Sequence, residues 1–277
     1  MIPLMVRLTP HFGLILLILA ASLPLWQSGP SFGAEKTGPT TAPAAPGNPP
    51  PHRADPALDL ALINAAGSRD VERVKALLDQ GADVNAMNGA ALYRAVTRER
   101  VDIAKLLLAR GAKANTQCSA GWTALHWAAA RGHTDLVDLI LDAGAPVNPD
   151  EGPSALYVAA SRGQAEVVIL LLGRGASATA TDDDGSTPLH AAAEVGHVFS
   201  IQLLIGGGAD VNARDDTGRT PLFWAIQGHK KDAVVFLLSS GADVNAKTNS
   251  GTSLLRCARD IGAPELVDML VERGAKE

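Results

Sequence analysis

The chain has 277 residues with 24 basic and 29 acidic side chains, a net charge of −5 at neutral pH. Hydrophobic residues make up 47%, too many for a disordered chain, while aromatics are only 4%. No basic surplus exists for holding nucleic acid, and a core of Ala, Leu and Val suits thin repeated layers better than one bulky centre.

The first segment reads as export machinery. A short start carries Arg7, and FGLILLILAASLPLW at 12–26 has no charge. This is the pattern of a secretory signal, with Ser31 to Ala34 as the exit, so residues 1–34 are assigned to a signal peptide. An uncleaved anchor remains the alternative, although fifteen uncharged residues are short for a span. In both cases the basic start stays inside and the rest crosses. The expectation is a periplasmic or secreted protein. Residues 35–57, rich in Pro, Ala, Thr and Gly, form an extended linker.

From residue 58 onward the chain repeats itself. A Gly-Ala pair ends a leucine-rich run at Gly81, Gly111, Gly144, Gly175, Gly208, Gly241 and Gly274, a spacing of 30 to 33 residues. A period in this range marks a solenoid. Each unit has a short first helix with small inner residues, such as ALHWAAARGH at 124–133. A second helix follows, such as AEVVILLLGRG at 165–175, with apolar residues at helical spacing. Pro188 and Pro221 start first helices, while Gly132, Gly163 and Gly196 end them. A polar loop leads into the next unit.

The strings STPLHAAAEVGH (186–197), WTALHWAAARGH (122–133) and RTPLFWAI (219–226) resemble ankyrin repeats, as does ADVNA at 82–86, 209–213 and 242–246. The resemblance covers residues 58–277, in units of about 58–82, 83–112, 113–145, 146–176, 177–209, 210–242 and 243–277. It implies an all-α solenoid of about seven stacked helix pairs with β-hairpin-like loops at one edge. The first and last units look like polar caps, with Arg69 in a glycine slot and Arg256, Arg259 and Asp260 in the last first helix. The loops 83–92 and 146–156 are short.

The resemblance implies that His126 and His190, in one repeated slot, are scaffold residues. Asp182–Asp184 lack the alternation and distal Glu of a calcium loop. Gly206–Gly208 lack the lysine of a phosphate loop. No Gly-x-Ser-x-Gly elbow or Cys/His metal spacing occurs, so no catalytic residue, metal or cofactor is assigned. Cys118 and Cys257 fall about four layers apart, roughly 40 Å, so both are expected as free thiols.

The resemblance further implies protein binding through the concave face of the first helices and the loop tips. The matching positions include Trp122, Asp183, Asp184 and Arg219 on loops, and Arg98, Arg131, Arg162, Glu194 and Gln227 on first helices. Arg98, Arg131 and Arg162 occupy one slot in three successive units, a basic stripe suited to an acidic peptide. Trp122 either anchors a partner or packs over its own unit. The expected function is a non-enzymatic, monomeric binding module for a protein, with no nucleic acid and no membrane at the repeats. The alternatives are an inhibitor or immunity-type protein that blocks an enzyme and, on a deep polar pocket, an enzyme.

Overall fold

The computed structural model describes residues 55–117, 121–149 and 152–277. The signal segment, most of the linker, Cys118 and Ala120 lie outside the described residues. The helices pair in chain order. They are α1 (Pro56–Ala66) with α2 (Val71–Asp79), α3 (Ala86–Thr97) with α4 (Val101–Ala109), α5 (Ala124–Arg131) with α6 (Thr134–Asp142), and α7 (Ala155–Ser161) with α8 (Ala165–Gly173). Then come α9 (Pro188–Val195) with α10 (Val198–Gly206), α11 (Pro221–Gln227) with α12 (Lys231–Ser239), and α13 (Leu254–Asp260) with α14 (Pro264–Glu272). Successive first helices pack on one another from α1 to α13, and successive second helices do likewise from α2 to α12. This is the expected all-helical solenoid of seven layers. The first layer begins slightly earlier than the sequence suggested: Asp55 caps α1, its carboxylate accepting from the Ala57 and Leu58 amides, and Pro56 takes the first helical position.

One register explains the second helices. The third, fourth and seventh positions are buried in α4 (Ile103, Ala104, Leu107), α6 (Leu136, Val137, Ile140), α8 (Val167, Val168, Leu171), α10 (Ser200, Ile201, Leu204) and α12 (Ala233, Val234, Leu237). The end layers relax the rule. The third position of α2 is the exposed Arg73, and the fourth of α14 is the half-buried Val267. Each layer thus buries its stripe against its neighbours, and a single core runs from Leu62 to Leu270. In the first helices Ala128, Ala129, Ala159, Ala160 and Ala192 are fully buried, so their methyl groups set how closely layers approach.

Ser200 breaks the apolar register, and its buried hydroxyl has no hydrogen-bond partner among the described residues. An unsatisfied buried hydroxyl is costly. Ser200→Ala, which copies Ala233 of the next layer, should therefore raise the unfolding free energy by about 1 kcal/mol in a urea titration.

Loop asparagines tie one unit to the next. The amide of Asn85 donates to the Gly111 carbonyl (3.0 Å) and accepts from the Lys113 amide (2.8 Å). Asn148 bonds Gly175 and Ser177 in the same way, Asn212 bonds Gly241 and Asp243, and Asn245 bonds Gly274 and Lys276. Asn115 occupies this slot too, but its would-be donor is Pro146, which has no N–H. Thr179 stands in the slot between the fourth and fifth layers. The loops are turns rather than strands. They close with backbone bonds such as Asp182 N–H to Ser186 O (3.0 Å) and Asp215 N–H to Arg219 O (2.9 Å). The only bridges among the described residues join Gln117 with Thr123 and Lys247 with Ser253.

The shortened loop 83–92 runs into the start of α3, which is kinked by three consecutive left-handed residues, Met87, Asn88 and Gly89, with φ of 48°, 54° and 67°. Missing length is recovered there by an unfavourable backbone. A second left-handed slot follows each inner first helix. A side chain at Gly163 would be strained at φ +66° and would also strike the ring of His197, 2.7 Å away. The slot therefore needs both freedom and room. Glu99 and His229 fill it in two layers at φ 59° and 57°. The residue facing each is adapted: His133 lies 3.2 Å from the Glu99 carboxylate, and Ala263 is small where the other layers place longer side chains.

Candidate partner-binding face

The two repeated histidines hold the layers together. Nδ1 of His126 accepts from the Thr123 amide (3.1 Å) and lies 2.9 Å from its hydroxyl, while Nε2 is 2.8 Å from the Pro153 carbonyl of the next unit. His190 repeats this with Thr187 (3.1 and 2.9 Å) and the Arg219 carbonyl (3.0 Å). Because Nδ1 receives an N–H, the proton sits on Nε2 and is donated to the carbonyl. Burial lowers both pKa values below the ordinary imidazole range, against the pull of the carbonyl bond. All the nitrogens are engaged and the rings are neutral, so these histidines are scaffold and not chemistry.

The three arginines of the stripe end successive first helices. Arg98 follows α3, Arg131 is the last residue of α5, and Arg162 follows α7. Arg98 and Arg131 are exposed and Arg162 is half-buried. Arg131 lies over the Trp127 ring, 6.0 Å from its centroid, and 3.7 Å from the Glu99 carboxylate. Trp127 makes edge contacts with Tyr93 (5.9 Å) and Trp122 (5.4 Å). A run of aromatic rings therefore leads from the stripe, along α5, to the loop end. Trp122 does pack over its own unit, on Trp127 and His126, yet it stays half-buried and lines an open cavity.

That cavity has a volume of about 310 Å³ and lies among the loops before α5, α7 and α9. Its walls include Asn115, Gln117, Trp122, His126, Pro146 and Asp183. It opens where Pro146 removes the loop-to-loop asparagine bond. Trp122 and Asp183 were expected at the face from sequence, whereas Asn115 and Gln117 were not. The available signal for them was Pro146 facing an asparagine slot.

Among the remaining candidates, Arg219 and Gln227 are engaged within the array, while Asp183 and Asp184 are exposed. The buried Asp182 carboxylate accepts from the Asp184 (3.1 Å) and Ser186 (2.8 Å) amides and shapes the turn that presents Asp183 and Asp184 to solvent. Burial, with the charges of Asp182 and Glu194, pushes the Tyr157 phenol far above its ordinary range, and the hydroxyl bonds to Asp182. Arg219 is held by the buried Asp215 carboxylate (3.1 Å), by the Thr217 hydroxyl (2.7 Å) and by Gln227 (3.4 Å), and it covers the Trp224 ring at 5.5 Å. Asp215 also accepts from the Trp224 indole N–H at 2.9 Å. Burial opposes ionisation of Asp215. Hydrogen bonds from Thr217, the Arg219 backbone and Trp224, with the Arg219 charge, outweigh it and hold the pKa below the usual carboxylate value. Arg219 and Gln227 therefore brace α11 and its loop, and Arg98, Arg131 and Arg162 form a separate group at the far end of the first helices.

A family model for ankyrin repeats, three copies long, matches residues 50–118, 111–182, 170–248 and 201–277. The chain belongs to the ankyrin-repeat family. The array also superposes on the ankyrin repeat domain of human ASB11 with a TM-score of 0.70 at 27% identity, covering 78% of this chain and 98% of that one. It is 40% identical over 97 residues to the human ankyrin repeat and SOCS box protein 16, which spans 34% of this chain and 21% of the relative. It is 37% identical over 90 residues to the cyclin-dependent kinase 4 inhibitor B of Mus musculus, 31% of this chain and 69% of the relative. The chain thus spans about a fifth of the first of these curated relatives. Ankyrin arrays are typically scaffolds for protein–protein interaction, and this chain has that architecture.

Proposed function

We propose that this ankyrin array holds a protein partner along its first helices and loop tips, acting outside the cytoplasm. The observation that carries the reading is the stripe of Arg98, Arg131 and Arg162, three guanidinium groups in one slot of adjacent layers beside the Tyr93–Trp127–Trp122 run. Arginine and aromatic side chains supply most of the energy at protein interfaces. Regular spacing in a rigid scaffold suits an extended acidic segment of the partner. The net charge of −5 argues against nucleic acid, and the array acts as a monomer. Export rests on the charge-free run at 12–26 behind Arg7. Fractionation of the source cell with N-terminal sequencing of the full chain tests it: recovery in the cytoplasm with residues 1–34 intact contradicts export.

Partner capture tests the face. Arg98→Glu, Arg131→Glu and Arg162→Glu together should weaken binding at least about tenfold, and added salt should then recover part of the loss by screening the new like-charge contact. Unchanged affinity for every captured partner would overturn the assignment. A second reading, that the array blocks a partner enzyme, draws on its likeness to a kinase inhibitor. Under that reading the captured partner loses turnover as the array is titrated in.

A further inference from the structure

The cavity between the loops before α5, α7 and α9 differs in chemistry from the stripe. Among the described residues, no Lys or Arg lines it. Its polar wall groups include the Asn115 and Gln117 amides, the Thr123 hydroxyl and the Asp183 carboxylate, and Trp122 gives it an indole wall. His126 also lines it, but both ring nitrogens are occupied by Thr123 and Pro153, and the ring brings no charge. Pro146, Pro149 and Pro153 contribute rigid walls without N–H donors. Two amide side chains, a hydroxyl, one carboxylate and an indole line the space, and the one formal charge among the described walls is negative, so the site can take a positive charge. A volume of about 310 Å³ lies at the lower end for small-ligand sites, large enough for a single long side chain.

We propose that this cavity is an anchor pocket for an arginine side chain of the partner, stacked on Trp122 and paired with Asp183. The inference rests on the protein-binding reading and adds polarity to it. The partner would carry an arginine at the loop end of the face and acidic residues at the far end, opposite Arg98, Arg131 and Arg162. A partner with the reverse polarity would meet like charge at both ends.

The test uses the full chain and two small probes, acetyl-arginine amide and its neutral isostere acetyl-citrulline amide. Binding is read from the indole resonances of the isotope-labelled protein, with the Trp122 signal identified by its loss in Trp122→Phe. The expected result is a saturable shift of the Trp122 resonance at millimolar acetyl-arginine amide, with the citrulline probe at least about fivefold weaker. Asp183 is exposed, and Asp183→Asn should bring the arginine probe down to the level of the citrulline probe. Added salt should weaken the arginine probe alone. Equal shifts from both probes, no shift at Trp122, or an Asp183→Asn variant that binds as wild type would overturn the pocket assignment. The stripe variant leaves this readout intact, so failure of the pocket and failure of the partner-binding face are separable.

Discussion

The unfolding free energy of the array is expected to decrease by up to about 1.4 kcal/mol per pH unit for each of His126 and His190 as pH falls below about 6.5. Both rings are buried and neutral, with pKa values lowered by burial. The sign follows from proton counting. Below the unfolded value near 6.5 the unfolded chain takes up a proton on each ring, while the folded rings stay neutral until their lower values are reached. Stability is therefore complete above about pH 7 and is lost downward from there. Protonating the ring would put an N–H on Nδ1, where the Thr123 or Thr187 amide already donates. Asp215, with its own pKa lowered, acts in a separate window: its contribution disappears only as pH falls below the usual carboxylate range. Urea titrations at pH 7.5 and 5.5 check the prediction. The double variant His126→Gln, His190→Gln should be less stable at pH 7.5, because two inter-layer bonds are lost, and should show most of the pH slope removed. A slope as steep as that of the wild type would show that other groups carry it.

Enlarging one inner alanine should be nearly as damaging. Ala160 is fully buried in α7, and α7 has α5 on one side and α9 on the other. A branched side chain there must push a neighbouring layer away or take a strained rotamer, so Ala160→Leu is expected to cost about 1–3 kcal/mol. The displacement would propagate, since the His126–Pro153 bond (2.8 Å) crosses the same junction. Ala76→Leu, on the exposed side of α2, makes the same addition with no layer to displace and should change stability by less than about 0.5 kcal/mol. Thermal unfolding of the two variants separates the cases. Equal midpoints would mean that inter-layer spacing does not limit the fold.

Most of the architecture was legible from residue order alone. The seven Gly-Ala pairs gave the period, and the alanine-rich and leucine-rich runs gave the two helices of each layer, because periodic burial needs only local spacing. Details that depend on neighbouring units were harder to see. ADVNA was visible as a motif, yet the job of its asparagine as a tie to the next loop emerges only when layers stack. The linker boundary missed Asp55 as a cap because the Pro-rich composition continues into the first helical residue. Arg219 was read as a loop-tip interface position. Its ties to Thr217 and Asp215 span two and four residues, but the Trp224 ring and Gln227 reach it only once α11 is folded. Trp122 illustrates the limit of an either-or reading, since it packs on its own unit and also lines the cavity.

Placing a photo-crosslinking amino acid singly at four positions tests the central claim most directly. Arg131 and Arg162 lie on the proposed face, while Ile169 and Phe199 are exposed on second helices. In the source cell, the first two positions should capture one common protein and the last two should not. Capture from Ile169 and Phe199, with none from Arg131 or Arg162, would mean that the partner sits on the opposite side of the array.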